Sequence, residues 1–427
     1  MRRLSLALLV ALSLTAPGQD VPKARALLEQ ALRELQAPAV MVIATPAALD
    51  AAIAAAVPGA LITLSPTLVY PTPLVLTRSV TLQSLVPLTR MDATTALPSF
   101  RGGITIPADD VTLVGIEVRA TDPRLTIVTI AGARVTLDRV RVLGDPIRGA
   151  KHGILANGNG ATVIRRSHVD DCFLPSPGDD AQAILAYDMA PGLLIEDDFL
   201  RGGSETILIG GGDSITAARM PRDVTIRGNW ITARPEWMGQ PIGVKTRLEV
   251  KAADNVLIEN NQIEYCWLQG QGGYLVSFTV RNQNGHAPWS TIRNVIFRNN
   301  TLMHGSAAFN LLALDDTQPS LSMQGVTITG NRSTDLNPLE YRGGSKRMIQ
   351  IAGGPADLAI TGNTFAGTGL TSAVYFSGKA MSSGLTITGN TWPKTSYGIF
   401  GDGAAVGKAW QAFVASGTLS GNTETAP

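Results

Sequence analysis

Residues 243–289 read GVKTRLEVKAADNVLIENNQIEYCWLQGQGGYLVSFTVRNQNGHAPW. Val244, Thr246, Leu248 and Val250 alternate with Lys245, Arg247, Glu249 and Lys251. A period of two places the first four on one face of a strand and the four charges on the other. Directly afterwards, VLIENNQI at Val256 is one copy of a unit that recurs through the chain. The stretch thus carries both the architecture and the densest outward-facing chemistry.

The unit reads VTLQSL at Val80, VTLVGIEV at Val111, VTLDRVRV at Val135, TVIRRSHV at Thr162 and LLIEDDFL at Leu193. It continues as VTIRGNWI at Val224, VIFRNNTL at Val295, VTITGNRS at Val326, LAITGNTF at Leu358 and LTITGNTW at Leu385, with a degenerate GTLSGN at Gly417. Successive copies start 24 to 39 residues apart. A second apolar run follows most of them, such as TIVTI near Ile127, SETILIG near Ile207 and MIQIA near Ile349. Short strands, polar turns and no helix between them describe the coils of a parallel β-helix. Leucine-rich repeats would need a Leu-x-x-Leu-x-Leu frame, and propeller blades are longer and carry Trp-Asp. The fold class expected is therefore all-β: a single-stranded right-handed parallel β-helix of about twelve coils, roughly 55 Å long at a coil spacing of ~4.8 Å.

From Val224 onward the sixth position of each unit is Asn: Asn229, Asn261, Asn300, Asn331, Asn363, Asn390 and Asn422. Asn tolerates left-handed backbone, and stacked amides hydrogen-bond along a rod. These asparagines are expected to be structural. Cys172 and Cys266 each lie ten residues past a unit start, three coils apart. That is about 14 Å, beyond disulfide reach, so two free buried thiols are expected.

Composition is consistent with this. The chain has 427 residues, 44 of them Gly, with 16% charged residues and a net charge of +1, so it is neither a coiled coil nor a disordered chain. The charge balance gives no case for nucleic acid. At the N-terminus, Arg2 and Arg3 precede an apolar run over 4–14 and small residues near Gly18. This pattern reads as a signal peptide over 1–18, too short to span a bilayer, so a secreted, periplasmic or extracellular protein without a membrane span in its mature form is expected. A helical segment follows over 19–45, with an amphipathic helix at 22–35, and the β-helix occupies 46–427. A second helix over 47–56, stopped by Pro58-Gly59, is placed to cap the open end of the β-helix. A helix followed by PGALITLSPTLVY resembles the start of right-handed β-helix proteins of the pectate-lyase superfold.

Function in such a rod belongs where coils lengthen and outward positions gather charge. The longest coil, 256–295, holds Trp267, Gln269, Gln271, Arg281, Asn282, Gln283, His286 and Trp289. The coil before it adds Trp237 and the stripe Lys245, Arg247, Glu249 and Lys251. Aromatics, amides and cations together suit sugar rings, hydroxyls and carboxylates. The bland alternative is a solvated face with salt bridges between coils. Four scattered histidines show no metal-ligand spacing, no serine sits in a nucleophile elbow, and the Gly210–Gly212 run opens no helix.

KAADNVLIENNQI, beginning at Lys251, resembles the Lys-Ser-x-x-Asn-Val segment of the alginate lyase and chondroitinase B group of β-helix lyases. The resemblance implies Lys251 as the base that removes a sugar C5 proton and Arg281 as its partner. The calcium-binding glutamates of that group would fall at Val244 and Thr246 and are absent. GDDAQAI at Gly178 resembles the Gly-Asp-Asp-x-x-Ala-Ile of polygalacturonases. The Gly-His-Gly of those hydrolases becomes Ser204-Glu205-Thr206, and their first aspartate falls near Asn157. Asp179 and Asp180 read first as turn caps and alternatively as a calcium site, with Glu205 on the adjacent coil. Over residues 150–300 the chain is similar to exported bacterial right-handed parallel β-helix repeat proteins, on DxQAI at Asp180, GSETILIGG at Gly203 and NQNGxAPW at Asn282.

The expectation is an exported, monomeric β-helix that engages a polysaccharide. It would cleave a uronic-acid-containing chain by β-elimination, with Lys251, Arg281 and Glu205 as catalytic candidates and Ca2+ or no cofactor. The alternatives are a non-catalytic carbohydrate-binding or adhesion protein and a glycoside hydrolase. Lyase chemistry requires Lys251 and Arg281 to converge on one open groove rather than pair with neighbouring carboxylates.

Overall fold

The computed structural model describes residues 41–86, 94–270 and 272–426. The expected signal peptide over 1–18 and the helix over 22–35 lie outside the described residues, as does most of the 19–45 segment. Among the described residues the strands form parallel sheets of 14, 10 and 12 members, and successive members of each sheet come from successive coils. The chain passes from the 14-stranded sheet to the 10-stranded sheet, then to the 12-stranded sheet, then back one coil further along. This is a right-handed parallel β-helix. The twelve-stranded sheet agrees with the coil count expected from the repeat.

All twelve copies of the unit fall in the 14-stranded sheet, and the second apolar runs fall in the 12-stranded sheet. The octets are not single strands. Each breaks at its fifth residue, which turns the corner in left-handed backbone: Arg139 (φ 54°), Arg166 (51°), Asp197 (55°), Gly228 (68°), Asn260 (56°) and Asn299 (55°). Left-handed backbone costs most residues about 1–2 kcal/mol, which is why Gly, Asn and Asp gather there.

The sixth-position asparagines therefore follow the left-handed residue rather than adopt that conformation. They point into the corner, buried, and form a continuous file. Asn229 Nδ2 donates to Asn261 Oδ1 at 3.0 Å, Asn261 to Asn300 at 2.9 Å, and so on through Asn331, Asn363 and Asn390 to Asn422. Each Oδ1 also accepts the backbone N–H of the preceding Asn, as Asn300 Oδ1 does from Asn261 N at 2.9 Å. The file runs on upstream with other side chains. Asp198 N donates to Asn229 Oδ1, Ser167 N to Asp198 Oδ1, and Val140 N to Ser167 Oγ.

A helix at Pro46–Ala55 is capped by Thr45, whose Oγ1 accepts from Ala48 N at 3.3 Å, and it buries Leu49 and Ile53. Cys172 and Cys266 are free and buried on strands three apart in the 10-stranded sheet. No helix among the described residues is long and apolar enough to cross a membrane.

Strict alternation fails at one place, and it matters. At the entry to the 12-stranded sheet two successive residues are buried inward in each coil: Thr206 and Ile207, Arg247 and Leu248, Leu275 and Val276, Ala308 and Phe309. The expectation of four outward charges on residues 245–251 is corrected for Arg247. Its guanidinium is fully buried and donates to the carbonyls of Gly202 and Gly203 and to Thr206 Oγ1. Arg247 ties a corner together and does not face solvent.

Candidate polysaccharide groove

The other three charges of the stripe do face outward and define a groove of about 480 Å3 on the 12-stranded sheet. Two outward columns build its floor. One runs Glu249, Ser277, Asn310, Gln350, paired strand to strand in register. The other, two residues further along each strand, runs Lys251, Thr279, Leu312, Ala352, Ser377. Lys245, Tyr274, Arg281, Gln283, Asp315 and Asp316 contribute to the walls. Each column repeats once per coil, every ~4.8 Å.

Lys251 on the floor and Arg281 on the wall stand on adjacent coils, their backbones joined by Arg281 N to Lys251 O at 3.0 Å. Both meet carboxylates. Lys251 Nζ lies 3.9 Å from Glu249 Oε2. Arg281 pairs with Asp315 at 3.1 Å and with Asp316. Asp315 is fixed in turn by the N–H groups of Asn282, Thr317 and Gln318. Burial opposes its charge, but these donors hold its carboxyl down at about 2.

Glu205 lies behind the groove, fully buried. Gln182 Nε2 donates to its Oε2 at 2.6 Å. Its Oε1 has no hydrogen-bond partner and sits 3.9 Å from Lys245 Nζ, which is bonded to Asp180. Burial, then the charges of Glu249 and Asp180, push the Glu205 carboxyl up to about 7. Glu249 has a different setting. It lines the groove and accepts from Thr279 Oγ1 at 2.7 Å. Two carboxyls on neighbouring coils thus sit in different settings, Glu205 sealed and Glu249 at the groove.

The remaining expected residues divide. Asn282 reaches the groove wall, but its amide is used to hold Ala287 N and the Pro319 carbonyl. Trp267 is fully buried, with Nε1 on Gln269, and Gln269 ties down the 239–240 turn. Trp237 is buried against Phe173 at 5.0 Å. The two tryptophans fill apolar cores of the long loops, and the two amides tie turns together. Gln271 lies outside the described residues. His286 lines a separate depression with Tyr187 and Asp213, and Trp289 Nε1 bonds Ser214 beside it at 2.9 Å. Asp179 pairs with Arg124 at 3.4 Å and Asp180 with Lys245. Among the described residues no three or more His, Cys, Asp or Glu converge as metal ligands.

Ser277, Asn310 and Gln350 escaped sequence reasoning. Their signal was present. Each is the fourth residue of its strand, polar between two apolar neighbours: YLVSFT, AAFNLL, RMIQIA.

The family described as right handed beta helix region matches residues 152–408. No curated protein sequence matches the chain. Among solved structures, the Dettilon tailspike protein is similar at 13% identity and a TM-score of 0.45, over 84% of this chain and 64% of that one. The chain thus spans just under two thirds of the tailspike. An alginate lyase from Paenibacillus sp. str. FPU-7 is similar at 13% identity and a TM-score of 0.44, over 84% and 96%. PfbA, a surface adhesin of Streptococcus pneumoniae, is similar at 12% identity and a TM-score of 0.44, over 89% and 88%. Three proteins with different printed roles share little here beyond the coil, so the family match is the finding that counts. The chain belongs to the right-handed β-helix family.

Proposed function

We propose that the groove binds a polysaccharide chain lengthwise and hydrolyses it, with Glu205 as general acid and Glu249 as general base. The observation that carries this reading is the contrast between the two carboxyls. Glu205 is sealed, half-satisfied and pushed up to about 7, whereas Glu249 is hydrogen-bonded and lies on the groove floor. Glycoside hydrolysis needs one carboxyl that keeps its proton near neutral pH and one that activates water. Lys245 Nζ lies 3.9 Å from Glu205 Oε1 and also lines the groove, so proton donation from Glu205 to a glycosidic oxygen requires the lysine side chain to move. The columns repeat at a spacing close to the length of one sugar ring, and their hydroxyl and amide groups match sugar hydroxyls. Lys251 and Arg281 suit the carboxylates of uronic acids. The signal-like N-terminus supports export to where such polymers occur.

A second reading, β-elimination with Lys251 as base and Arg281 against the substrate carboxylate, is favoured by their adjacency in one groove. Their carboxylate neighbours count against it. The test uses a panel of uronate-containing and neutral polysaccharides with the wild type, Glu249→Gln and Lys251→Ala. New reducing ends without ultraviolet absorbance from an unsaturated product, lost in Glu249→Gln, are the expected result. An absorbance rise abolished by Lys251→Ala would establish the lyase instead. Binding without cleavage by the wild type would make the protein a carbohydrate-binding or adhesion rod.

A further inference from the structure

The column that starts at Glu249 does not stop at Gln350. It continues in register to Tyr375 and then to Phe400 on the last strand of the 12-stranded sheet. Five coil steps separate Glu249 from Phe400, roughly 24 Å. Beyond Gln350 the outward chemistry changes from amide to aromatic. Tyr397 stacks on Phe400 with centroids 4.9 Å apart and planes 25° apart, and Phe400 leans on Tyr375 at 6.0 Å. Tyr397 is 45% exposed although it is a large ring with an aromatic neighbour.

Closing the core does not require this pair. Phe413 does that, stacked on the inward Phe376 at 5.4 Å with its own ring buried. Tyr375 is held in place from the groove side. Arg347 lies 3.5 Å over its ring and donates to Gln350 Oε1 at 2.7 Å. Its hydroxyl bonds Asp402, which also accepts from Gly378 N at 2.8 Å. A braced, half-exposed aromatic surface thus stands in line with the polar groove and joined to it through Arg347.

We propose that Tyr397 and Phe400 form a remote subsite that stacks a sugar ring of the same polysaccharide chain held at Glu249. The proposal rests on the polysaccharide reading of the groove. Aromatic rings present an apolar face with a polar rim, which suits the C–H face of a pyranose. At ~24 Å from Glu249, only a chain of several sugar units reaches both places. The subsite therefore sets a preference for long chains and leaves short ones unaffected.

The experiment measures binding of oligosaccharides, graded from disaccharide to octasaccharide and prepared from whichever uronate or neutral polymer the wild type binds best. Three proteins are compared: wild type, Tyr397→Ala and Tyr397→Phe. Tyr397→Ala is expected to weaken octasaccharide binding about five-fold, the worth of one aromatic contact. It leaves disaccharide and trisaccharide binding unchanged, and Tyr397→Phe keeps the wild-type length dependence. Octasaccharide affinity unaltered in a folded Tyr397→Ala protein would overturn the subsite while leaving the groove intact. Equal loss for short and long chains would also overturn it, since the residue would then act on the groove as a whole. Failure of the wild type to bind any length would remove the polysaccharide reading together with the subsite.

Discussion

Gln182 and Glu205 hold the same position in successive coils, and the Gln182 amide donates to Glu205 Oε2 at 2.6 Å. Nothing hydrogen-bonds the other carboxyl oxygen. A carboxyl sealed in this way resists ionisation in the folded protein, at about 7, while in the unfolded chain it ionises near ~4.3. Its folded value is raised, so the native state loses stability as pH climbs between those two values and none further above them. Glu205→Gln is expected to flatten that part of the stability–pH curve and to abolish cleavage. Melting temperatures on either side of the window check the first outcome. An unchanged slope would show that Glu205 ionises freely.

Arg247 predicts a large loss. Removing a fully buried guanidinium strands the Gly202 and Gly203 carbonyls that it satisfies. Arg247→Met should cost about 3 kcal/mol or more, read as a lower denaturant midpoint with an unchanged slope. A shift within about 0.5 kcal/mol would place Arg247 among ordinary surface residues.

Asp198 occupies a position in the buried amide file that asparagine fills in later coils. Burial raises its carboxyl well above the usual range, and its Oδ2 has no hydrogen-bond partner. The folded protein therefore keeps Asp198 protonated at pH values where the unfolded chain ionises it. Asp198→Asn supplies an amide that can donate along the file. It should stabilise the protein at neutral pH by about 1 kcal/mol and by less in acid. The converse change, Asn300→Asp, should destabilise, most at high pH. Paired thermal melts at acid and neutral pH decide both.

Asn310 lies on the groove floor and is only partly buried, with its Oδ1 accepting from Gln350 at 3.1 Å. Asn310→Ala should leave the melting temperature within a few degrees, as for a substitution outside the core, while weakening polysaccharide binding several-fold. Titration calorimetry against the polymer bound by the wild type separates the two effects. A variant that melts much earlier would make this amide part of the fold rather than of the site.

The coil was legible because its rule is local. A short β-branched run and a left-handed corner, joined from Val224 onward by an Asn, recur every 24 to 39 residues, and each can be read within eight residues. The site was legible only where period two holds. Lys245, Glu249 and Lys251 reach the groove as the alternation requires. Arg247 does not, because two inward residues in succession at the sheet corner reverse the face, and no local signal in KTRLEVK marks that reversal. The tryptophans misled for a related reason. Trp237 and Trp267 look like sugar platforms in a polar loop, but a loop long enough to leave the coil needs something apolar to fold around. Asn310 and Gln350 become visible only when runs from separate coils are laid side by side.

The amide file also bears on how the molecule would yield to force. Each asparagine links only its two neighbours, so tension along the rod is shared by three parallel sheets and a thread of side-chain bonds, all loaded together. Peeling from one end meets a single rung at a time, with its strands and one amide pair. Such a rod is stiff when stretched and weak when unzipped, and its resistance to unravelling is set by the terminal coils.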